Sequence, residues 1–271
     1  MGLHTEWMKY GENGQYTGYL AHFDQLKSNA PAVIVIQEVW GVDDHIQNVT
    51  RRFAEAGYLA FSPDLYSING ERKEVLKEER ISEVKQFLEA VPPTAWGNED
   101  ERQKILASYP EDKQNRITET MQTLFGGLDP QNYIEQLIET SDYLRKNFTN
   151  GKGVGSVGFC LGGALSAALA TQDPELKGAI IFYGRPPEAD RLSTINCPVI
   201  GFYGDVEKDP GITGKVPEFA KAMKETGKSY TYTIYEGAGH AFFNDSRVSY
   251  HPDAARDAFA NSLQFFNDTL K

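Results

Sequence analysis

Gly158-Phe159-Cys160-Leu161-Gly162-Gly163 places a cysteine among small residues where two different sequence patterns meet. The residues before it, 153–159, form a short β-rich run, and those after it, 164–170, are strong helix formers. Small residues at 158, 162 and 163 permit the close backbone approach that a sharp strand-to-helix turn requires. The pattern therefore predicts a nucleophile elbow with cysteine in the usual place of serine. A buried cysteine in a tight turn has the same local sequence and stays as the alternative.

In such an elbow the thiol of Cys160 lies at the N-terminus of a helix. The free N–H groups and the positive end of the helix dipole stabilise a thiolate and a developing oxyanion at that position. The expected chemistry is hydrolysis by a thiol nucleophile, which requires a base and an acid elsewhere in the chain.

Composition limits the classes of protein to which the chain can belong. With 271 residues and 40% hydrophobic side chains, one α/β domain can bury a full core. The net charge of -11 argues against nucleic acid and anionic membrane as partners, but it allows a local arginine pocket for an anionic substrate. The two cysteines, Cys160 and Cys197, are too few for a disulfide framework and lack metal-ligand spacing. Because no leader-like or transmembrane run appears either, we expect a cytoplasmic protein.

Strand-like and helix-like segments alternate along the chain, which is typical of a mostly parallel sheet with helices on both faces. Ala32-Val33-Ile34-Val35-Ile36 is a continuous apolar run suited to a buried parallel strand. The other predicted strands are 58–61, 179–183, 198–203 and 229–235, and the predicted helices are 46–56, 216–226 and 253–270. The predicted fold class is therefore α/β.

The segment 67–131 interrupts this alternation. It contains no convincing strand, only charged helical patterns at 71–90, 99–109 and 112–124. A connection this long inside a compact domain needs structure of its own, so we expect residues 1–271 to form a single domain with a helical insertion. The insertion leaves the carboxyl end of a predicted parallel strand, where ligands bind in such sheets. A lid over the active site is therefore the functional interpretation, and a cap on one edge of the fold is the alternative.

A thiol nucleophile needs a base, and the base needs an acid to orient it. His240 follows the last predicted strand in a loop that contains Gly237 and Gly239, and it comes after the cysteine as the chain order of such a triad requires. The other histidines, at 4, 22, 45 and 251, precede the first buried strand or begin helices. The acid should follow the strand that ends at 203, where Asp205 and Asp209 both qualify and geometry is not readable from the sequence.

Taken together, six stretches of the chain resemble the dienelactone hydrolase family of α/β-hydrolases. They are Gln37-Glu38-Val39-Trp40-Gly41, Pro63-Asp64-Leu65-Tyr66, the elbow itself, Phe182-Tyr183-Gly184, Glu207-Lys208-Asp209-Pro210 and Gly237-Ala238-Gly239-His240-Ala241-Phe242. They occur in the family's order from about residue 15 to the C-terminus, with only the insertion outside the match. The resemblance implies an α/β-hydrolase fold and hydrolysis of an ester or lactone by a Cys-His-Asp triad. The family's name-giving substrate is 4-carboxymethylenebut-2-en-4-olide, which opens to maleylacetate.

The resemblance also implies roles for individual residues. Cys160 matches the nucleophile, His240 matches the base, and Glu38 matches the carboxylate that holds and then releases the resting thiol. A glutamate directly after a buried apolar run is partly desolvated, which suits proton exchange with a thiol. The backbone N–H groups of Leu161 and Val39 match the oxyanion hole.

The acid loop departs from the family pattern. Two extra residues separate Gly204 from the Glu207-Lys208-Asp209-Pro210 context. That context favours Asp209 as the triad acid, whereas simple spacing favours Asp205. We expect Asp209 to be the acid and keep Asp205 as the alternative.

The substrate-binding residues also depart from the pattern. Ser67 follows Tyr66 where the dienelactone-specific members place an arginine nearby for the substrate carboxylate. Arg72 and Arg247 are candidates to replace that arginine, and Trp40 and Tyr66 are candidate pocket residues. We expect a small-molecule ester or lactone substrate and no cofactor or metal, while the oligomeric state stays open. Within the hydrolases, a general carboxylesterase or thioesterase is the alternative. Outside them, the alternative is a non-catalytic ligand-binding or redox-responsive protein of the same fold.

Overall fold

The protein, in a computed structural model, is described over residues 2–26, 28–91, 98–126, 128 and 130–271. Its strands are β1 (Leu3–Tyr10), β2 (Tyr16–Phe23), β3 (Ala32–Ile36), β4 (Leu59–Pro63), β5 (Ser67–Ile68), β6 (Glu71–Arg72), β7 (Val154–Phe159), β8 (Gly178–Phe182), β9 (Val199–Gly204) and β10 (Tyr230–Tyr235). Its helices are α1 (Asp44–Glu55), α2 (Glu78–Ala90), α3 (Glu99–Leu106), α4 (Glu111–Gly126), α5 (Pro130–Asn147), α6 (Leu161–Gln172), α7 (Pro210–Thr213), α8 (Val216–Glu225) and α9 (Pro252–Thr269). Within these ranges no helix is both long and apolar enough to cross a membrane.

Eight of the strands form one sheet in the order β1-β2-β4-β3-β7-β8-β9-β10. β2 runs antiparallel to both β1 and β4, and every neighbouring pair from β4 to β10 is parallel. Parallel neighbours need crossover connections, which the intervening helices supply. The predicted α/β fold with a mostly parallel central sheet is confirmed.

Helices cover both faces of this sheet. Val33 of β3 joins a hydrophobic core that includes Phe53 of α1 and Phe266 of α9. On the other face, Ser156 of β7 hydrogen-bonds the Ser166 hydroxyl of α6 at 2.8 Å. Because successive side chains of a strand point to opposite faces, the central strands are buried on both sides, as their continuous apolar runs predict.

The register of the parallel strands positions the loops that matter for function. Ile36 at the end of β3 pairs with Gly158 near the end of β7, so Glu38 and Cys160 leave the sheet at the same edge. β9 and β10 are likewise in register at their carboxyl ends. The loops that carry the predicted acid and base therefore start from this edge as well.

Four elements of the main sheet unit, β1, β2, α5 and the four-residue helix α7, are not predicted by the sequence patterns above. β1 and β2 form an edge hairpin, and β1 mixes exposed with half-buried residues and so presents no continuous apolar run. α5 buries the polar side chains of Gln136, Thr140 and Ser141 beside its apolar ones, which weakens its hydrophobic periodicity.

The expectation that the segment 67–131 contains no strand is wrong at its start. β5 and β6 pair antiparallel with Ser67 opposite Arg72, and Asn69 and Gly70 between them both have positive φ angles. An Asn-Gly pair with positive φ at both positions is a strong hairpin signal. The first long helix of the segment, α2, consequently begins at Glu78 rather than at 71.

Contacts divide the chain into two compact units, Met1–Leu65 with Pro130–Lys271, and Tyr66–Asp129. Within the second unit, α2 and α4 are joined by ion pairs between Arg116 and Glu83 and between Arg80 and Glu119, each at 2.7 Å. The second unit covers nearly the same residues as the predicted insertion. The single-domain interpretation and the role of the insertion as a lid stay predictions.

Candidate active site

Cys160 lies in a sharp turn between β7 and α6. Its φ of 55° and ψ of -112° fall outside the regions that non-glycine residues usually occupy, and its side chain is half-buried. The backbone N–H of Cys160 donates to the carbonyl of Phe182 at 3.0 Å, which holds the turn against β8. A Cβ on Gly158 would overlap the carbonyl of Gly162. The local geometry is that of the predicted elbow, and the thiol stands at the N-terminus of α6.

His240 lies in the loop after β10 and bridges two side chains. Its Nδ1 is 2.7 Å from Oδ2 of Asp209, and its ring interacts electrostatically with the Cys160 thiol. Burial lowers the pKa of His240, but the interactions with Asp209 and Cys160 outweigh it and raise the pKa to about 10. The structure therefore brings a thiol, an imidazole and a carboxylate together.

Asp205, the alternative acid, has other partners. Its carboxylate accepts hydrogen bonds from the backbone N–H groups of Gly237 and Glu207, both at 2.9 Å, and these bonds lower its pKa. Its own backbone N–H donates to the carbonyl of Ala238 at 2.8 Å. Asp205 thus ties the loop that carries Asp209 to the loop before His240. Of the two aspartates, the structure pairs Asp209 with the histidine.

Glu38 is buried just beyond the end of β3, in a tight turn closed by a hydrogen bond from the Gly41 N–H to the Glu38 carbonyl. The Tyr183 hydroxyl donates to Oε1 of Glu38 at 3.2 Å, and the Asn244 amide donates to Oε2 at 2.8 Å. Because both carboxylate oxygens accept a hydrogen bond from a buried donor, Glu38 is held in one orientation.

Tyr183 and Asn244 are site residues that the sequence analysis missed. Tyr183 lies inside a quoted motif, immediately after β8, and has a φ of 38°. Burial first, and then the nearby Glu38 and Cys160, raise the pKa of Tyr183 well above its usual range, so its hydroxyl stays a proton donor. Asn244 follows two phenylalanines in the loop after His240, and no local pattern there indicates a contact with a residue so distant in sequence.

The remaining candidates are two predicted oxyanion-hole residues and four predicted substrate-binding residues. Leu161 is the first residue of α6, where backbone N–H groups have no acceptor within the helix, and Val39 lies in the turn that begins at Glu38. The guanidinium carbon of Arg247 lies 5.4 Å from the centre of the Trp40 ring, within the range of a cation–π contact. The other two candidates, Tyr66 and Arg72, belong to the second unit.

Two of the other histidines have structural partners. His45, the second residue of α1, is 3.0 Å from the carboxylate of Asp245. His251 caps α9 by accepting a hydrogen bond from the Ala254 N–H at 3.3 Å. These contacts agree with their predicted positions at helix starts and leave His240 as the histidine beside the thiol.

Comparison with known proteins gives the chain a family context. Residues 17–270 match the model of the dienelactone hydrolase family. A "putative carboxymethylenebutenolidase" of Saccharolobus solfataricus is 35% identical over 241 residues, which cover 89% of this chain and 90% of that protein. A protein of the same name from Yersinia pestis is 26% identical over 94% of this chain and 84% of that protein.

Solved structures share the fold. The crystal structure of a "putative dienelactone hydrolase" from Klebsiella pneumoniae matches with a TM-score of 0.74 and 24% sequence identity. The match covers 98% of this chain and 99% of that chain, so the likeness in architecture includes nearly the whole of both proteins.

Proposed function

The chain belongs to the dienelactone hydrolase family, and we propose that it cleaves its substrate with a Cys160-His240-Asp209 triad through a thioester intermediate. Membership of this family makes it a hydrolase that acts on small-molecule esters or lactones. The observation that carries the proposed triad is the position of His240, which hydrogen-bonds Asp209 and interacts electrostatically with Cys160. Nucleophile, base and orienting acid in hydrogen-bond contact are the arrangement that nucleophilic catalysis requires.

In the proposed acylation step, the sulfur of Cys160 attacks the carbonyl carbon of the ester or lactone as a thiolate, beside a His240 that its raised pKa keeps protonated. Because Nδ1 of His240 bonds Asp209, Nε2 is the nitrogen left to transfer a proton to the leaving group. The tetrahedral oxyanion accepts hydrogen bonds from the backbone N–H groups of Leu161 and Val39. Collapse breaks the carbon–oxygen bond, and the proton on His240 passes to the leaving alkoxide, which gives a thioester on Cys160.

In the proposed deacylation step, His240 removes a proton from water, and the resulting hydroxide attacks the thioester. Collapse of the second tetrahedral species releases the carboxylate product and returns the proton to the sulfur of Cys160. Asp209 keeps the imidazole in one orientation and stabilises its protonated form in both steps. In this scheme His240 mediates the proton transfers, and the backbone N–H groups only donate hydrogen bonds.

We assign Glu38 to the control of the resting thiol. Its carboxylate is buried next to the elbow and held by Tyr183 and Asn244. A fixed carboxylate at this position can hold the protonated thiol while substrate is absent and take up its proton when the thiolate is needed. The electrostatic coupling of Tyr183 with both Glu38 and Cys160 supports this assignment, because it puts all three groups in one cluster.

For the substrate, we propose Arg247 as the cation that binds an anionic group. Its stacking on Trp40 orients a guanidinium in the unit that holds the elbow. Arg72 is the other candidate. A carboxylate-bearing lactone is the substrate that such a cation favours, whereas a general carboxylesterase or thioesterase gains nothing from it.

Steady-state kinetics test this proposal. We compare the wild type, Cys160→Ala and Cys197→Ala on p-nitrophenyl acetate, on the dienelactone and on an acyl thioester. Cys197 is the matched control because burial raises its pKa to about 12 and keeps it a neutral thiol. We expect Cys160→Ala to lose at least about a thousandfold in kcat/KM, with Cys197→Ala near the wild-type value.

The substrate ranking separates the alternatives. Preference for the dienelactone supports the family's name-giving activity, and preference for the simple ester or thioester supports the general esterase or thioesterase. Full activity in Cys160→Ala would contradict the proposed triad. No turnover of any of the three substrates by the wild type would contradict it too and would favour a ligand-binding or redox role.

A further inference from the structure

The hairpin of β1 and β2 gathers two histidines and a glutamate that take no part in the chemistry above. His4 and His22 pair directly across the two strands, and their ring centres are 5.2 Å apart. Glu6 lies two residues after His4 and therefore projects from the same face of β1. One potential ligand atom from each of the three side chains lies within 4.8 Å of the other two. The hairpin thus presents two imidazoles and one carboxylate to a common point.

His22 is prepared as a ligand by its surroundings. Its Nδ1 is 3.0 Å from the carbonyl oxygen of Phe23, and because a carbonyl only accepts, this contact fixes the ring proton on Nδ1. Nε2 then keeps its lone pair. That atom is buried and has no hydrogen-bond partner within the described part of the chain, in a residue that is only 1% exposed. Metal-binding histidines characteristically donate their other ring N–H to such a carbonyl.

His4 and Glu6 leave the point of convergence accessible from solvent. Their side chains are 47% and 42% exposed, and Nε2 of His4 lies 3.4 Å from Oε1 of Glu6. Two ligand atoms that are each about 2.0 Å from a tetrahedral zinc ion are about 3.3 Å apart. These two atoms are already spaced like neighbouring zinc ligands. Rotation of the half-exposed side chains of His4 and Glu6 shortens the wider distances between ligand atoms, which are within 4.8 Å.

The strand register separates this cluster from the active site. Ala21 of β2 pairs with Ala60 near the start of β4, and β2 runs antiparallel to β4, so His22 lies at the amino end of that strand. Cys160 and Glu38 leave the sheet at the carboxyl ends of parallel strands. The two groups of residues therefore occupy opposite edges of the sheet, and the hairpin cluster contacts no reacting atom.

We propose that His4, Glu6 and His22 form a zinc site, completed by water, that fastens the edge strand β1 to β2. Two imidazole nitrogens and one carboxylate are a ligand set that zinc and related divalent transition metals favour over magnesium or calcium. The ion also satisfies the buried Nε2 of His22, which otherwise lacks a hydrogen-bond partner. The site is structural and does not depend on the proposed triad.

Isothermal titration of the whole chain with zinc chloride tests this site. Every protein in the series carries Cys160→Ala, so that the reactive thiol does not capture the metal. We expect one zinc ion per chain, with affinity reduced at least about tenfold in Glu6→Gln and in His4→Asn. Both substitutions fall on half-exposed side chains, so folding is preserved. Glu12→Gln, on an exposed glutamate in the turn of the same hairpin, is the matched control and should bind as the parent does.

A second readout identifies the ligands. Cobalt(II) bound to the parent should give the intense visible absorption of a four-coordinate ion, and Glu6→Gln and His4→Asn should lose it. The absence of saturable zinc binding would overturn the proposal. Binding of equal strength in the parent, Glu6→Gln and His4→Asn would overturn it too, because the metal would then be held elsewhere.

Discussion

Cys160 and Cys197 show how the surroundings of a thiol set its chemistry. Burial raises the pKa of Cys197 to about 12, so that thiol stays neutral at physiological pH. Cys160 instead is half-buried, interacts electrostatically with His240 and stands at the start of α6. Its positive φ of 55° is a strained conformation that the surrounding turn maintains. These surroundings support Cys160, and not Cys197, as the proposed nucleophile.

Asp209→Asn should lower the pKa of His240 below its present value of about 10. The reason is that burial lowers this pKa, and the hydrogen bond with the Asp209 carboxylate is the largest contribution that raises it. The substitution should also reduce kcat/KM at least about a hundredfold, since an unsupported imidazole is a poorly oriented base. NMR titration of the imidazole resonances of His240 measures the pKa directly.

The raised pKa also makes stability depend on pH. The folded protein keeps the His240 proton to about pH 10, whereas the unfolded chain releases it near pH 6.5. The stabilisation that this proton gives the folded state is therefore fully present below pH 6.5. It is lost as the pH rises through about 10, and Asp209→Asn should flatten this decline. Asp205→Asn is the control: it should leave the pKa of His240 raised. A value near 10 in Asp209→Asn would contradict the pairing.

Glu38→Gln tests the assignment of the buried carboxylate. The amide keeps the shape of the side chain and can still bond Tyr183 and Asn244, so the fold should be retained. Because the amide cannot exchange a proton with the thiol, we expect kcat/KM to fall about a hundredfold. Glu236→Gln, on an exposed glutamate before the His240 loop, should match the wild type. Wild-type kinetics in Glu38→Gln would remove Glu38 from the mechanism.

Residue identities at the site were predictable only where the chain itself dictates geometry. Cys160 and His240 follow from the elbow pattern and from chain order, since both are tied to strand ends. Asp209 and Asp205 stay inseparable by spacing, because the contact of Asp205 with the Gly237 N–H comes from another loop. Tyr183 and Asn244 likewise reach Glu38 across more than a hundred residues of chain.

Among the elements, the β7–α6 junction places the most severe demands on side-chain size. The ideal Cβ of an alanine at 162 would overlap the carbonyl oxygen of Ile36, and one at 163 would lie 2.6 Å from that of Phe182. α6 therefore starts in contact with the backbones of β3 and β8. The close approach positions the thiol between neighbouring strand ends, and only glycine permits it.

Gly162→Ala should consequently destabilise the protein by about 3 kcal/mol or more, because the obstructing atoms belong to the backbone of a central strand and cannot rotate away. Gly211→Ala is the matched control. An added Cβ there meets nothing within 4 Å, and its stability should change by no more than about 0.5 kcal/mol. Urea denaturation followed by circular dichroism measures both, and equal stability of the two variants would contradict the packing described.

Whether a segment forms a strand or a helix was predictable where one or both of its faces are buried. The apolar runs of β3, β8 and β9 predict central strands, because a parallel sheet buries both faces. The edge strand β1 and the polar-faced α5 lack that signal. The β5–β6 hairpin carries a local signal, Asn69-Gly70, that the charged helical pattern around it obscures.

At the scale of the whole molecule, α5 returns the chain to the sheet after the second unit. Its Arg145 binds Asp173, at the end of α6, through several hydrogen bonds of 3.0 Å, and the Ser141 hydroxyl donates to the same carboxylate at 2.6 Å. The Asp173 side chain is only 2% exposed. This buried ion pair connects the returning helix to the helix that carries the elbow.

Arg145→Leu should destabilise the protein by about 3–5 kcal/mol, because it leaves the buried carboxylate of Asp173 without its cation. Arg256→Leu removes an ion pair with Asp253 in which both side chains are 75% exposed, so its stability should change by less than about 1 kcal/mol. Thermal and urea denaturation of both variants provide the comparison. A loss below 1 kcal/mol in Arg145→Leu would show that the pair does not anchor α5.

The measurement that tests the thiol mechanism most directly is mass spectrometry of the protein quenched in acid during turnover of p-nitrophenyl acetate. We predict an acetyl group on the peptide that contains Cys160, none on the peptide that contains Cys197, and no adduct in Cys160→Ala. The adduct should disappear when the substrate is exhausted, as an intermediate must. Turnover with an acetyl group on another residue, or with none on Cys160 at any time after mixing, would contradict a thioester enzyme.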